Sequence, residues 1–422
     1  MKQSIFILFS IMTLSCIAQP TVHYVIMNQF VNDMVYDSLN SKVLISIPSK
    51  DYVHGNSIGF LDPNTATLSN YYFVGSEPRP IALTDNMKYL YVGLDGAKNV
   101  KKFNILSHTV EQTFTIGYSN FNGQFFANNL SCQPGTDSVV AVVRYAQGYS
   151  RGVCIYKNGV QLSDTISEYP TTIDLVHFYS PTVLFGYNYS NTGYDFSTMF
   201  VDSQGVKMAN HMGSLINGFN IDFCIDKGLA LSDNGTILDL SGGTPYSLAE
   251  ISIPTNQGPG TVRSCFDAGS NLVCFAVKGF WNDSIYIFRY NATTFLKYDQ
   301  ILVNGFKGDV NKIICWGKSK YIVSTLDGKL LVINDILSTG ITELNQKSDN
   351  NLSVFLNPAN NILSMSGFLG NSKISIFDIN GRLIINKQLI NNQLDISNFQ
   401  TGVYIVRIET EQGYLTQKII KY

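Results

Sequence analysis

An internal repeat constrains this chain more than any other feature. Apolar, strand-like runs return at Val43–Ile47, Tyr89–Val92, Val139–Val143, Val183–Gly186, Leu229–Leu231, Leu272–Phe275 and Tyr321–Val323, a spacing of roughly 40 to 50 residues. Each run follows a short strand and a turn, and leads through a hairpin into a third strand such as Ser57–Leu61, Val100–Phe103 or Ser284–Phe288. A fourth strand, for example Leu68–Val74 or Thr109–Ile116, completes the unit. Four antiparallel strands at this period make one blade, and the seven copies predict an all-β, seven-bladed β-propeller. The seventh copy stops after three strands, Ile313–Cys315, Tyr321–Val323 and Lys329–Ile333, while an orphan strand, Val22–Ile26, precedes the first copy. Placing the orphan beside the seventh copy closes the ring and removes two open sheet edges. A β-helix or a sandwich is the competing all-β arrangement.

Composition agrees with sheets rather than solvent-lined helices. Charged residues are only 14% of the chain and aromatics reach 12%, against about 25% charged in an average soluble protein. Lys+Arg 29 against Asp+Glu 31 gives a net charge of -2, so no basic surface argues for nucleic acid. The N-terminus is an address: Lys2, the apolar run Ile5–Leu14 and the small residues around Cys16-Ile17-Ala18 predict a signal peptide over 1–18 with cleavage before Gln19. A membrane anchor would need a longer run, and lipidation at Cys16 would want an apolar residue where Thr13 stands. No later segment reaches the length of a spanning helix. The mature chain is therefore expected outside the cytoplasm with no transmembrane segment.

In the first two units, Asp33–Asp37, Gly59–Pro63 and Arg79–Leu83 lead into Tyr89–Val92. They resemble the surface-layer propeller repeats that carry a Tyr-Val-Thr-Asn motif, a YVTN-like (WD40-type) repeat; here Tyr91–Leu94 reads Tyr-Val-Gly-Leu. The resemblance implies surface display or binding and names no ligand.

After the polar stretch Asn345–Asn351 the pattern changes to short alternating strands. Phe355-Leu-Asn357-Pro358-Ala with Ile362-Leu363 comes first, followed by Ile374–Leu383 containing Asn380-Gly381-Arg382, and by Leu394–Asn398. Thr401-Gly402-Val-Tyr404-Ile-Val-Arg407 and Lys418–Lys421 complete the series. In order and spacing this segment resembles the type A C-terminal sorting domain of the type IX secretion system, with Leu356 departing from the usual Pro-Asn-Pro. The resemblance implies recognition by the type IX secretion machinery, with release or surface attachment of the cargo. Physically, Asn380-Gly381 suits a two-residue hairpin turn. Gly402 is expected to let the chain turn into the strand Val403–Ile408, which buries either Val403 and Ile405 or Tyr404, Val406 and Ile408. A small Ig-like β-sandwich is expected. The organisation read from the sequence is 1–18 signal peptide, 19–337 propeller, 338–351 linker and 352–422 sorting domain.

Six cysteines follow Cys16. Cys132, Cys224, Cys265 and Cys315 each stand seven residues before an apolar residue of a second strand, where other units hold Tyr36, Leu83 and Val176. That interchange reads as a buried packing site. On separate blades these cysteines are not expected to meet at disulfide distance, whereas Cys265 and Cys274 can face each other across one hairpin. No Cys/His ligand spacing for zinc occurs, and no cofactor is expected.

Gly148-Tyr-Ser150-Arg-Gly152 matches G-x-S-x-G, but a nucleophile elbow needs a strand-to-helix turn, and here a loop between strands is expected. Asp33, Asn129, Asp174, Asn220, Asp222 and Asp309, with Arg79 and Arg263, fall where inner strands reach the channel mouth. The loops between second and third strands open on the same face and are rich in aromatics. Tyr52, Tyr145, Tyr149, Tyr187, Tyr189, Tyr194, Phe280 and Trp281 are the candidate binding residues, because such rings offer large contact area with a polar tip. The sequence thus points to an exported or surface-displayed propeller that binds a protein or glycan. A metal-dependent hydrolase or lactonase and a structural envelope component are the alternatives.

Overall fold

The structure, a computed structural model, describes residues 21–167, 172–254, 262–279, 283–337, 353–355, 361–366, 372–378, 382–389, 393–410 and 413–421. The signal peptide, the linker, and Phe280, Trp281, Asn357, Pro358 and Gly381 lie outside the described residues. Contacts divide the chain into two units, Met1–Gly340 and Ile341–Tyr422. Every element of the described residues is a strand.

The first unit holds, among the described residues, seven four-stranded antiparallel sheets. Six are built from consecutive strands. In the first sheet these are Asp33–Asp37, Lys42–Ile47, Ser57–Asp62 and Thr67–Phe73. The second to sixth sheets span 78–115, 126–166, 175–212, 223–250 and 262–304 in the same order. The seventh takes Val310–Gly317, Lys320–Thr325 and Lys329–Leu337 from the end of the unit and Thr21–Asn28 from its start. Val25 lies opposite Val332 in that last pairing, which is antiparallel.

Burial explains the sequence pattern. Second strands are covered on both faces by neighbouring sheets, so Tyr89–Leu94 is buried at every residue, and apolar side chains run without alternation. Fourth strands lie at the outside and alternate, as Thr109–Thr115 does, because only one face meets protein. One apolar cluster lies between each sheet and the next. Leu44, Phe60, Leu90 and Phe103 join the first and second sheets, and Phe185, Phe196, Phe223 and Leu238 join the fourth and fifth. Val43 and Ile45 meet Trp316, Ile322 and Leu330 between the first and seventh sheets. A short hairpin, Tyr118–Ser119 with Gly123–Gln124, was not expected from the sequence.

The cysteine position is less buried than its interchange with Tyr, Leu and Val suggests. Cys265 and Val176 are buried, but Cys132, Cys224 and Cys315 are half-buried. The position sits on the innermost strand, whose other side is the channel.

In the second unit, Ser353–Phe355, Ile362–Ser366 and Gln393–Asp395 form one sheet, and Leu383–Leu389, Ser372–Asp378, Gly402–Thr410 and Gly413–Lys421 form another. Leu363, Met365 and Leu394 of the first face Ile374, Ile376, Tyr404, Val406 and Ile408 of the second in one core. Of the two faces open to the strand after Gly402, the one carrying Tyr404, Val406 and Ile408 is buried. The Tyr404 hydroxyl donates to the Gln400 carbonyl at 2.8 Å, and its ring meets Phe399. Gly402 needs no special backbone here: a Cβ added to it would touch its nearest neighbours only at 3.9 Å. The bend is held by Tyr404 instead. Arg382 pairs with Asp378 at 3.3 Å across the hairpin, and Lys418 is exposed on the last strand.

Candidate functional site

The innermost strands of neighbouring sheets are stitched by polar groups at one end. Ile81 N–H donates to Asp33 Oδ2 at 2.9 Å, Val176 N–H to Asn129 Oδ1 at 3.0 Å, and Ser264 N–H to Asp233 Oδ1 at 2.8 Å. Arg263 Nε donates to the Asn311 carbonyl at 2.9 Å, and Asn311 Nδ2 reaches the Val31 carbonyl at 3.1 Å. Side chains at this level are thus committed to holding the sheets together, and a subset also faces open space.

That space is a cavity of about 370 Å³ lined by His177, Asp222, Asp233, Arg263 and Lys312, with Cys224, Cys265 and Cys315 deeper on the same inner strands. Asp226 lines it as well, and the other five charged groups stand in ion pairs. Lys312 Nζ contacts Asp33 Oδ1, Arg263 Nη1 lies 3.2 Å from Asp233 Oδ2, and His177 Nε2 lies 3.6 Å from Asp222 Oδ1. Burial pushes Asp233 up to about 6 against the pull of Arg263. Burial also opposes charge on Asp222, but His177 at 3.6 Å and the charges of Lys312 and Arg263 hold its carboxyl below the usual range. Lys312 is likewise opposed by burial, and Asp33 and Asp222 outweigh that to raise it. With Asp226, three acids and three bases therefore share one wall, a surface of donors and acceptors without a dominant sign.

A second group lies at the mouth. Asp174 is fully buried; its Oδ2 accepts from Tyr189 N and Ser190 N, both at 3.0 Å, while Oδ1 has no hydrogen-bond partner among the described residues. Burial raises its carboxyl. The Tyr189 hydroxyl accepts from Asn128 Nδ2 at 3.1 Å. Tyr189 feels the charges of Asp174, Arg79 and Asp222, and Tyr145, pushed up to about 12 chiefly by burial, feels Tyr189, Asp174 and Arg79. Tyr145 and Tyr189 thus lie within range of each other's charge, but neither lines the cavity. Tyr149 and Tyr52 are exposed, and Tyr194 is half-buried with its ring edge-on to Phe219 at 5.2 Å. Tyr187 is the exception to the expected rim: it is fully buried and its hydroxyl donates to the Gly218 carbonyl at 2.9 Å. It closes the second strand of the fourth sheet, where both faces are covered, so it is core rather than docking surface.

The inner-strand residues divide in the same way. Asp222 and Arg263 line the cavity, Asp33 stands behind it on Lys312, Asn129 stitches sheets, and Arg79 pairs with Asp95 at 3.5 Å. Asn220 offers its carbonyl to Arg263. Asp309 turns to Lys278 at 2.8 Å, outside the cavity. In its sheet the wall residue is Lys312. Lys312 stands three residues before Cys315, as Asn129 stands before Cys132, so the alignment on cysteine carried the signal. His177 gave no such sign because its partner, Asp222, comes from the next sheet. Asp233 was hidden in a Ser-Asp-Asn-Gly turn that reads as loop chemistry. Among the described residues no group of three or more His, Cys, Asp or Glu side chains is arranged to hold a metal ion.

Ser150 of the G-x-S-x-G match lies on the strand Tyr149–Lys157, not in a loop and not before a helix. It is buried and its hydroxyl donates to the Ile173 carbonyl, which leaves no exposed nucleophile.

The fold is that of a β-propeller-type all-β protein. The chain is similar to the Cps50 (Swd1) β-propeller domain of Myceliophteria thermophila, with 9% identity and a TM-score of 0.56 over 75% of this chain and 99% of that one. It is also similar to hydrazine synthase from Kuenenia stuttgartiensis, with 11% identity and a TM-score of 0.52 over 72% and 95%. At these identities the likeness concerns fold alone. Residues 353–422 match the secretion system C-terminal sorting domain family, and that segment is such a domain. It marks the chain for export by type IX secretion. No curated protein matches the chain. Among the described residues no helix is long and apolar enough to cross a membrane.

Proposed function

We propose that this chain is a secreted or surface-displayed binding protein: a seven-bladed propeller over 19–337 closed by its N-terminal strand, a linker over 338–351, and an Ig-like sorting domain over 352–422, exported after removal of residues 1–18. The pairing of Thr21–Asn28 with Lys329–Leu337 supports closure, as does the apolar cluster between the first and seventh sheets. Two packed sheets around a single core support the sandwich.

The binding role rests on one observation: a cavity of about 370 Å³ is lined by His177, Asp222, Asp226, Asp233, Arg263 and Lys312, acids and bases in equal number. Such a wall of donors and acceptors answers hydroxyl groups, and we assign the half-buried rings of Tyr145 and Tyr189 as the apolar faces that accompany it. A cavity of about 370 Å³ takes a sugar unit or a single protruding side chain, and the absence of a dominant charge favours the neutral, hydroxyl-rich ligand. The mature protein, screened on a glycan array and then titrated against its best ligand, is expected to lose at least tenfold in affinity with Tyr189→Ala or Asp222→Asn, and less with Tyr149→Ala at the exposed rim. Unchanged affinity in the first two variants, or no glycan bound, overturns the glycan reading. Fractionation of cells with and without residues 353–422 tests export: the truncated chain is expected inside the outer membrane.

A further inference from the structure

Cys265 and Cys274 lie directly opposite each other in the antiparallel pairing of Val262–Asp267 with Leu272–Lys278. Opposed residues share a face of the sheet, and both thiols are buried in the cluster between the sixth and seventh sheets. A third thiol, Cys315, packs against that cluster, opposite Tyr321 in the seventh sheet. Cys274 Sγ lies 3.4 Å from the Tyr321 hydroxyl, which in turn donates to Asp267 Oδ2 at 2.8 Å. All six cysteines after Cys132 inclusive are free thiols in this structure. The sorting domain marks the chain for export, and outside the reducing cytoplasm disulfides form and persist.

We propose that Cys265 and Cys274 are an oxidation site, joined in the exported protein by a disulfide across the sixth sheet. The two S–H bonds break, one Sγ–Sγ bond forms, and two electrons with two protons pass to a disulfide-bearing thiol oxidant of the envelope, which leaves as its dithiol. Cys265 and Cys274 are favoured over any pair with Cys315, because Cys315 belongs to another sheet and has Tyr321, not a thiol, as its opposed residue. The neighbouring Cys274 thiol and burial raise the Cys265 thiol well above its ordinary range, which suppresses the thiolate that exchange requires. Oxidation therefore precedes packing of the seventh sheet onto the sixth, and the finished bond is shielded from reductants.

The inference rests on export, and its test separates the two. Full-length protein recovered from the cell surface or medium is quenched in acid, denatured, and alkylated with iodoacetamide before and after reduction. Four of the six thiols from Cys132 to Cys315 are expected to react before reduction and all six after it, with a linked peptide pair carrying Cys265 and Cys274. The Cys274→Ala variant is expected to show five reactive thiols without reduction. Six reactive thiols in unreduced, exported protein overturn the proposal while leaving export intact, and so does a linkage through Cys315. Protein absent from the surface and medium refutes the export premise and the proposal with it.

Discussion

Asp33 is the sharpest place to test how the sheets are held together. Its carboxylate accepts from Met34 N–H at 2.8 Å and from Ile81 N–H at 2.9 Å, and it contacts Lys312. One side chain of the first sheet thus ties the second and the seventh. Asp33→Ala strands the Ile81 N–H beside a buried side chain, a cost of about 1–3 kcal/mol. The Lys312 side chain is 35% exposed to the channel, so losing the ion pair adds about 1 kcal/mol, less than the loss of a fully buried partner. The sum is about 3 kcal/mol. Asp33→Asn keeps an acceptor for Ile81 and loses only the charge, so it is expected to cost about 1 kcal/mol. Trp316 is buried between the first and seventh sheets, and in a Trp281→Phe background its fluorescence follows that interface through a urea titration. The midpoint is expected to fall in the order wild type, Asp33→Asn, Asp33→Ala with an unchanged slope. Equal midpoints for the two variants, or a loss below about 1 kcal/mol for Asp33→Ala, would refute the assignment of the carboxylate as an inter-sheet acceptor.

Three further outcomes are expected. Burial pushes Asp95 up to about 6, with Arg79 pulling the other way; the folded chain then binds more protons than the unfolded one between that value and the unperturbed 3.8, and stability falls as pH rises through this window. The thermal midpoint of Asp95→Asn relative to wild type should therefore climb from pH ~4 to ~6 and level off, and a flat difference contradicts the burial argument. Gly152 has φ +88, and a Cβ there would lie 1.9 Å from the Ile166 carbonyl oxygen, so Gly152→Ala should cost at least about 2 kcal/mol in chemical denaturation. Deleting Thr21–Asn28 strips the Lys329–Leu337 strand of a partner, and size-exclusion chromatography should show aggregates where the full chain runs as a defined species.

The strands were legible because a four-stranded unit has a strong internal pattern: unbroken apolar runs in Lys42–Ile47 or Tyr89–Leu94, where both faces are covered, and alternation in the outer strands. The site was legible only in part. Asp33, Asp222 and Arg263 could be placed by their offset from the next strand, and Tyr145 and Tyr189 by their loops. Tyr187 could not be separated from its neighbours, because burial at the last residue of a strand depends on the adjacent sheet. Lys312, His177 and Asp233 acquire meaning only through Asp33, Asp222 and Arg263, partners 30 to 279 residues away in sequence. Pairings of that range leave no local trace. Gly402 shows the reverse error: a glycine invited a conformational explanation where a tyrosine hydroxyl does the holding.

The strand Lys329–Leu337 leads out toward the sorting domain and is hydrogen-bonded on one side to Thr21–Asn28 and on the other to Lys320–Thr325. A pull on the tail is therefore delivered along a strand that is gripped on both flanks over Leu330–Ile333 and on one flank beyond it. Ladder bonds run across such a strand, so the load falls on many of them together in shear instead of unzipping them one at a time. The first residues of the folded unit thus clasp its last ones, with Asp335–Leu337 held by Thr21–His23 alone among the described strands.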